Sequence, residues 1–226
     1  MDGYMYMQSL EDMEGREVKK QELIDRINRV PQPPIEAACK GTALNEIVDS
    51  IISAREVKGM TAHKNAGLWY ANIEEFSFCY SEDIVNTIVG EVYDCIPQVY
   101  TQAEIHIPQG VVTLYGYADY VRDSEVIDLK TTSNYEVGKF RDNWQHVVYP
   151  YCLVSSRKLE KVDSFTYLVA ELSKGRDGVL RADFCAEEYV FDMKTEEERL
   201  RNFLTYEMIP FIEDNRHLIT NQKIFR

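Results

Sequence analysis

Gly116-Tyr117-Ala118-Asp119-Tyr120-Val121 is followed, after Arg122-Asp123-Ser124, by Val126-Ile127-Asp128-Leu129-Lys130-Thr131-Thr132, and the fold turns on how these two runs are read. Both are rich in β-branched and aromatic residues, and the polar break between them is short, so they read as two strands of a hairpin. Alternate residues of a strand share a face: Asp128 and Lys130 point one way, while Ile127 and Leu129 point the other way into a core. Asp119 stands near the end of the first strand, where hairpin pairing carries its carboxylate toward Asp128.

Outward from this hairpin, residues 99–107 and 111–121 are strand-like runs separated by the Pro108-Gln109-Gly110 turn. With 125–131 they predict an antiparallel meander. Upstream, Leu23, Ile24, Ile27 and Val30 fall at helical spacing over 17–30, and Pro31-Gln32-Pro33-Pro34 stops that helix. A second helix buries Ala37, Ala38, Ala43, Leu44, Ile47, Val48, Ile51 and Ile52 and runs to about Val57; residues 58–67 read as a loop. Residues 68–70 and 76–80 read as strands. Ser81-Glu82-Asp83 reads as an N-cap with first-turn acids, opening a helix (Ile84, Val85, Ile88, Val89, Val92) that ends before Pro97. Helical spacing returns over 139–155, a strand follows over 164–172, and a turn at 174–178 leads to further strand pairing up to about Met193. Thr195-Glu196-Glu197-Glu198 caps a last helix with Leu200, Phe203, Leu204 and Met208 on its apolar face. The expected class is α/β (α+β), with residues 1–16 a flexible N-terminal arm and 17–226 one domain.

Two carboxylates converging on one point repel unless a proton or a cation lies between them. Mg²⁺ or Mn²⁺, which prefer oxygen ligands, suit that place. A lysine two residues beyond such a carboxylate suits phosphodiester hydrolysis, where its ammonium orients the attacking water and offsets charge developing on the phosphate. Taken alone, Asp-x-Lys is also what a solvated strand face carries. Asp119 upstream and the strands around both motifs favour a site.

These motifs resemble those of the RecB-like branch of the PD-(D/E)xK nuclease superfamily: G-x-x-x-H on a helix, then G-x-x-D, D-x-K-T, and Q-x-x-x-Y on the following helix. Gly116-Tyr117-Ala118-Asp119 matches the second, Asp128-Leu129-Lys130-Thr131 the third, and Gln145-His146-Val147-Val148-Tyr149 the last, across about 38–172. The resemblance implies a restriction-endonuclease-like αβββαβ core, a mixed central sheet flanked by helices, with added N- and C-terminal helices. It implies a metal-dependent deoxyribonuclease acting by metal-activated water on DNA ends or single strands, as an exonuclease or processing enzyme in recombination, repair or replication. Asp119, Asp128 and the Leu129 carbonyl would bind the metal, Lys130 would serve the water, and Gln145 and Tyr149 would line the site. In Lys40-Gly41-Thr42-Ala43-Leu44-Asn45-Glu46 the first motif departs from the family, because Asn45 stands where a histidine ligand is usual. Asn45 itself, Glu46 beside it, or Asp49 one turn on are the candidates for that place. Several members carry an iron–sulfur cluster on one early and three late cysteines; here only Cys152 and Cys185 lie in the last third, so no iron–sulfur cluster is expected. The departure at Asn45 also keeps open an alternative, a catalytically weak or inactive nuclease-like protein that serves as a binding or regulatory partner in a DNA-processing complex.

Composition bounds the rest. The chain has 226 residues, 45% hydrophobic and 28% charged, and its fifteen Tyr, nine Phe and two Trp exclude wholesale disorder. The five cysteines form no CxxC pair and read as reduced, mostly buried thiols; the four histidines are scattered, so no zinc is expected. No apolar run approaches the roughly 18 residues of a membrane span, and the N-terminus lacks an export signal, so a cytoplasmic protein without membrane contact is expected. Neither a GxxxxGK[ST] loop nor a GxGxxG fingerprint supports a nucleotide phosphohydrolase. The net charge of −13 argues against a general polyanion binder. It is concentrated in 71–108 and 182–214, however, whereas 122–161 carries seven bases against six acids. Lys139 and Arg141 in that stretch are candidate phosphate-guiding residues, joined by Arg157, Lys158 and Lys161. DNA is the expected partner, with a protein that delivers it and self-association both compatible with the sequence.

Overall fold

The computed structural model describes residues 16–225. The expected arm at 1–16 lies outside them except for Arg16, which opens α1 (Arg16–Ile27). There follow α2 (Glu36–Ile52), β1 (Thr61–Asn65), β2 (Leu68–Ile73), β3 (Phe76–Ser81), α3 (Glu82–Val92), β4 (Ile96–Ile107), β5 (Gly110–Arg122), β6 (Glu125–Thr132), α4 (Gln145–Ser155), β7 (Ser164–Lys174), β8 (Leu180–Val190), α5 (Met193–Phe203), a π-turn (Leu204–Met208) and α6 (Ile209–Asp214). The strands make one mixed sheet in the order β1-β2-β3-β8-β7-β6-β5-β4. The expected meander is β4-β5-β6, antiparallel throughout, and β7 returns parallel to β6 after α4. The class is therefore mixed α/β, as the sequence predicts.

Helices cover both faces of the sheet, and each face has its own core. On one side Val147, Val148, Cys152 and Leu153 of α4 and Leu200 and Phe203 of α5 meet Ala103, Ile105, Leu114, Val126, Phe165 and Val169; Trp144 stacks on Phe203 at 4.3 Å. On the other side Ala43, Leu44, Ile47 and Val48 of α2 and Ile84, Val85 and Ile88 of α3 meet Tyr80, Tyr120, Ile127, Leu129 and Ala170. Each fully buried Leu or Ile of these stripes contributes about 1.5–3 kcal/mol. β6 is thus buried on both faces, as its position between β5 and parallel β7 demands. Asp128 and Lys130 do not face solvent but lie on the α4 side.

Several boundaries differ from the sequence reading, each for a local reason. Residues 61–65, expected in a loop, pair with β2 through an Ala66-Gly67 turn in which both φ angles are positive, the geometry of a type I′ hairpin. β1 is almost wholly exposed and so has no apolar alternation to reveal it. α2 stops at Ile52 because Ala54 turns left-handed (φ 48°) and the Arg55 N–H reaches back to the Ser50 carbonyl, a Schellman-like end. Residues 139–144 are successive turns that precede α4, since Glu187 of β8 accepts the Gly138 N–H and Tyr135 hydroxyl and pins the segment to the sheet. Ser81 makes no side-chain cap, and the Glu82 N–H at the start of the helix donates to the Gly67 carbonyl. At α5 the cap is Asp192 and not Thr195; its Oδ1 accepts from the Thr195 N–H at 2.9 Å and hydroxyl at 2.6 Å. All five cysteines are free, with three buried.

Gly41 sets the distance between α2 and β6. A Cβ there would lie 2.5 Å from Thr131 Oγ1, so the helix approaches the strand as closely as glycine allows. The Tyr80 hydroxyl fixes the same turn by donating to the Lys40 carbonyl at 2.7 Å. Gly41→Ala should therefore destabilise the protein by about 1–3 kcal/mol through overpacking. Thr131→Ala in the same chain should recover a large part of that loss; equilibrium urea unfolding of the two single variants and the double variant measures the coupling.

Candidate functional site

The site forms where β5 and β6 part. β5 pairs with β4 at Val99↔Ala118 and Pro97↔Tyr120, leaving Gln98 and Asp119 unpaired between them, and Gln98 has φ 52°. Pairing of β5 with β6 stops at Tyr120↔Ile127. The facing of side chains slips there too, with Ala118 and Val121 in the α4 core and Tyr120 in the α2 core. Asp119 bridges the gap, its Oδ2 accepting the Leu129 N–H at 3.1 Å. A backbone donor that loses its ladder partner is thus satisfied by a carboxylate.

Asp128 is 1% exposed. Its Oδ2 lies 2.7 Å from the Lys130 ammonium, and its Oδ1 accepts from Gln145 Nε2 at 3.1 Å. Gln145 opens α4 and ties the group together: its Oε1 accepts from Lys130 Nζ at 2.7 Å, and its Nε2 also reaches the Tyr149 hydroxyl at 3.3 Å, one turn along the helix. The face of Tyr167 lies 5.6 Å from Nζ. Asp119, Asp128, Lys130, Gln145 and Tyr149 are thus brought together, and the contact with the Leu129 backbone is through its N–H.

On the other flank an open pocket of about 610 Å³ is lined by Asn45, Glu46 and Asp49 of α2, by Arg55 and Lys58 of the following loop, and by Gln98 and Asp119. Of the three α2 side chains that the sequence offers as candidate ligands, Glu46 is engaged elsewhere. Arg55 grips it with both guanidinium nitrogens, and the Lys58 N–H donates to it. Burial pulls the Glu46 carboxyl upward, but these donors outweigh it and hold its pKa below the usual value. Asn45 Oδ1 and Asp49 Oδ1, by contrast, are buried without a hydrogen-bond partner. Burial raises the Asp49 pKa, opposed by the Tyr120 hydroxyl and Gln98 beside it.

The charges do not balance. Burial, then the charge of Asp128, raises the Asp119 pKa well above its usual value against the pull of Lys130 and the Leu129 N–H; Asp49 adds to the rise. Burial raises Asp128 as well, against Lys130. Asp119 and Asp128 share the one ammonium of Lys130, Asp49 has only the charge of Arg55 against it, and such a group takes up a proton or a cation. Among the described residues no three His, Cys, Asp or Glu side chains stand together as a ready metal set. The unpartnered oxygens of Asn45 and Asp49 beside Asp119 nevertheless suit a hard, oxygen-seeking cation.

Lys139 and Arg141 fall outside this cluster. Lys139 binds Thr132 Oγ1 and the Asn134 carbonyl, closing the turn after β6. Arg141 lines a second pocket of about 370 Å³ with Asp142, His146, Tyr189, Glu196 and Arg199. Gln98 and Arg55, which shape the first pocket, carry no sequence signal: one depends on a local backbone twist, the other on a contact nine residues away.

No family profile matches the chain, and no curated protein does. Among solved structures it is similar to the crystal structure of SSO0001, with 16% identity and a TM-score of 0.32 over 53% of this chain. The chain covers 54% of that one, about half its length.

His146 beside Gln145 yields a pH prediction. It stacks on Tyr189 at 4.5 Å, and burial, then Arg199, lowers its pKa to about 4. The folded state therefore keeps it neutral while the unfolded chain protonates near 6.5, so its contribution is complete above pH 6.5 and is lost as pH falls toward 4. At about 1.4 kcal/mol per pH unit this loss is roughly 3 kcal/mol. The raised carboxyls act with the opposite sign, so the comparison must be with a variant: urea unfolding at pH 7.5 and 4.5 should show His146→Phe losing roughly 2–3 kcal/mol less than the intact protein.

Proposed function

We propose that this chain is a metal-dependent deoxyribonuclease of the PD-(D/E)xK type, acting on DNA ends or single strands. The observation that carries the reading is the convergence of Asp119 and Asp128 on the one ammonium of Lys130, with the unpartnered oxygens of Asn45 and Asp49 lining the pocket that Asp119 also lines. The fold supports it: α2, the β4-β5-β6 meander, α4 and β7 parallel to β6 follow the order of a restriction-endonuclease-like αβββαβ core, with β1–β3 and α3 inserted after its first helix.

Asp119, Asp128 and the Leu129 carbonyl, with Asn45 and Asp49 from α2, would hold Mg²⁺ or Mn²⁺. An ion there supplies Lewis acidity toward the phosphate and makes a water more acidic. Lys130, held by Asp128 and Gln145, presents a fixed ammonium that can orient a water and offset charge on the phosphate. Gln145 prevents that ammonium from rotating away, and Tyr149 holds the amide of Gln145 in turn. No zinc or iron–sulfur centre enters this reading.

Purified protein with Mg²⁺ or Mn²⁺ should degrade linear DNA, and Lys130→Ala should lower the rate at least about 100-fold; because that variant leaves the buried Asp128 without its cation it should also melt at a lower temperature, so both proteins are assayed below the variant's unfolding transition. Undiminished cleavage by that variant would overturn the proposal. Asp119→Asn should weaken Mn²⁺ binding in calorimetry about tenfold or more while leaving the protein folded, because it removes charge but retains an acceptor for the Leu129 N–H.

The hold of Arg55 on Glu46 favours a second reading, a nuclease-like protein that binds in a DNA-processing complex without cutting. Absence of both cleavage and metal binding across divalent ions would select it.

A further inference from the structure

The β4–β5 ribbon has one covered face and one bare face. Leu114 and Ala118 look toward α4, whereas Val111, Thr113, Tyr115 and Tyr117 alternate with them and are exposed. α2 and α3 pack on β2, β3, β6 and β8, so this stretch of the sheet extends past them. Tyr117 is 56% exposed, Tyr115 42% and Tyr100 40%. Tyr100 lies opposite Tyr117 across the ladder, with ring centroids 5.2 Å apart. Tyr115 is one same-face step beyond Tyr117, about 6.8 Å along the strand.

Two features say what this face fits. The rings are bordered by cations in a chain of net charge −13: Lys158 Nζ lies 5.8 Å from the Tyr100 centroid and bonds its carbonyl on the open edge of β4, and Arg29 donates to the Tyr115 hydroxyl at 3.1 Å. The face also runs directly into the acidic pocket. Tyr117 precedes Asp119 by two residues and Tyr100 follows Gln98 by two, and both Asp119 and Gln98 line that pocket. Flat aromatic faces with flanking cations bind the bases and phosphates of a single nucleic-acid strand with little regard to sequence, whereas a duplex hides its base faces.

We propose that Tyr100, Tyr117 and Tyr115, flanked by Lys158 and Arg29, form a stacking platform that leads one DNA strand into the Asp49–Asp119 pocket. The platform rests on the nuclease reading of that pocket and names single-stranded DNA as its substrate.

The test is fluorescence anisotropy in EDTA with a labelled 20-nucleotide oligothymidylate and with a duplex of equal length, so that binding is read without cleavage. The intact protein should prefer the single strand. The double variant Tyr100→Ala, Tyr117→Ala should bind it roughly tenfold or more weakly, with duplex affinity unmoved, and Tyr117→Trp should bind as well as the intact protein. Both substituted positions are exposed, and thermal midpoints verify folding. Equal affinity of the double and intact proteins, no binding of oligothymidylate, or a dimer in light scattering that the double variant abolishes would each overturn the platform, the last by showing the face to be a contact between copies. Cleavage with Mg²⁺, measured in parallel, separates the two proposals: unmoved binding with Lys130-dependent cleavage sinks the platform alone, and weakened binding with no Lys130-dependent cleavage sinks the nuclease alone.

Discussion

A carboxylate that is 1% exposed can stay ionised only if both its oxygens are answered, and Asp128 meets that condition with a lysine from its own strand and an amide from the next helix. Lys130 is two residues away on the same face, so the strand itself supplies the ammonium. Gln145 must come from α4, and its amide can serve both partners only if α4 begins where the segment after β6 delivers it. That explains why residues 139–144 are turns and not the first turns of the helix, and why Glu187 of β8 anchors them. The ion pair, the start of α4 and the α4 core are one arrangement, and loss of any member strands a buried charge.

Asp119 obeys a different constraint. It lies where the β5–β6 ladder ends, and its carboxylate takes over a backbone donor that a strand would otherwise have satisfied. The same divergence opens the pocket between β5 and α2, and the close approach of α2 at Gly41 keeps Asn45 and Asp49 within it. Glu46, on the same helix, is paired with Arg55, so the carboxyls left without a close cation are Asp49 and Asp119. Of Asn45, Glu46 and Asp49, which line this pocket from α2, Asn45 and Asp49 therefore keep oxygens without a hydrogen-bond partner, whereas Glu46 is already engaged.

Much of this is written along the chain. The meander and its turns were legible because period-two alternation in β4 and β5 and the Pro108-Gln109-Gly110 break are local signals, as are the apolar stripes of α3 and α5 and the middle of that of α2, whose expected members Ala37, Ala38 and Ile51 are instead exposed. Grouping Asp128 with Lys130, and Asp119 with Asp128, needed only strand geometry and a hairpin. β1 was invisible because an exposed edge strand carries no burial pattern, and the Asp192 cap was missed because Thr195-Glu196-Glu197-Glu198 offers an equally good local signal three residues later.

The sequence by itself determined which side chains share a strand face or a helix turn, because those relations follow from backbone periodicity: Asp128 with Lys130, Gln145 with Tyr149, Asn45 with Asp49. Only the tertiary structure decided that the Asp128–Lys130 face is buried, since that depends on a second core under α4, and that Glu46 is claimed by Arg55 while Arg141 turns to another pocket. It alone also showed the tyrosines of β4 and β5 to be bare, because an alternating strand does not reveal whether a helix will cover its polar-looking face. Burial and charge compensation are sums over neighbours distant in sequence, and no local pattern contains them.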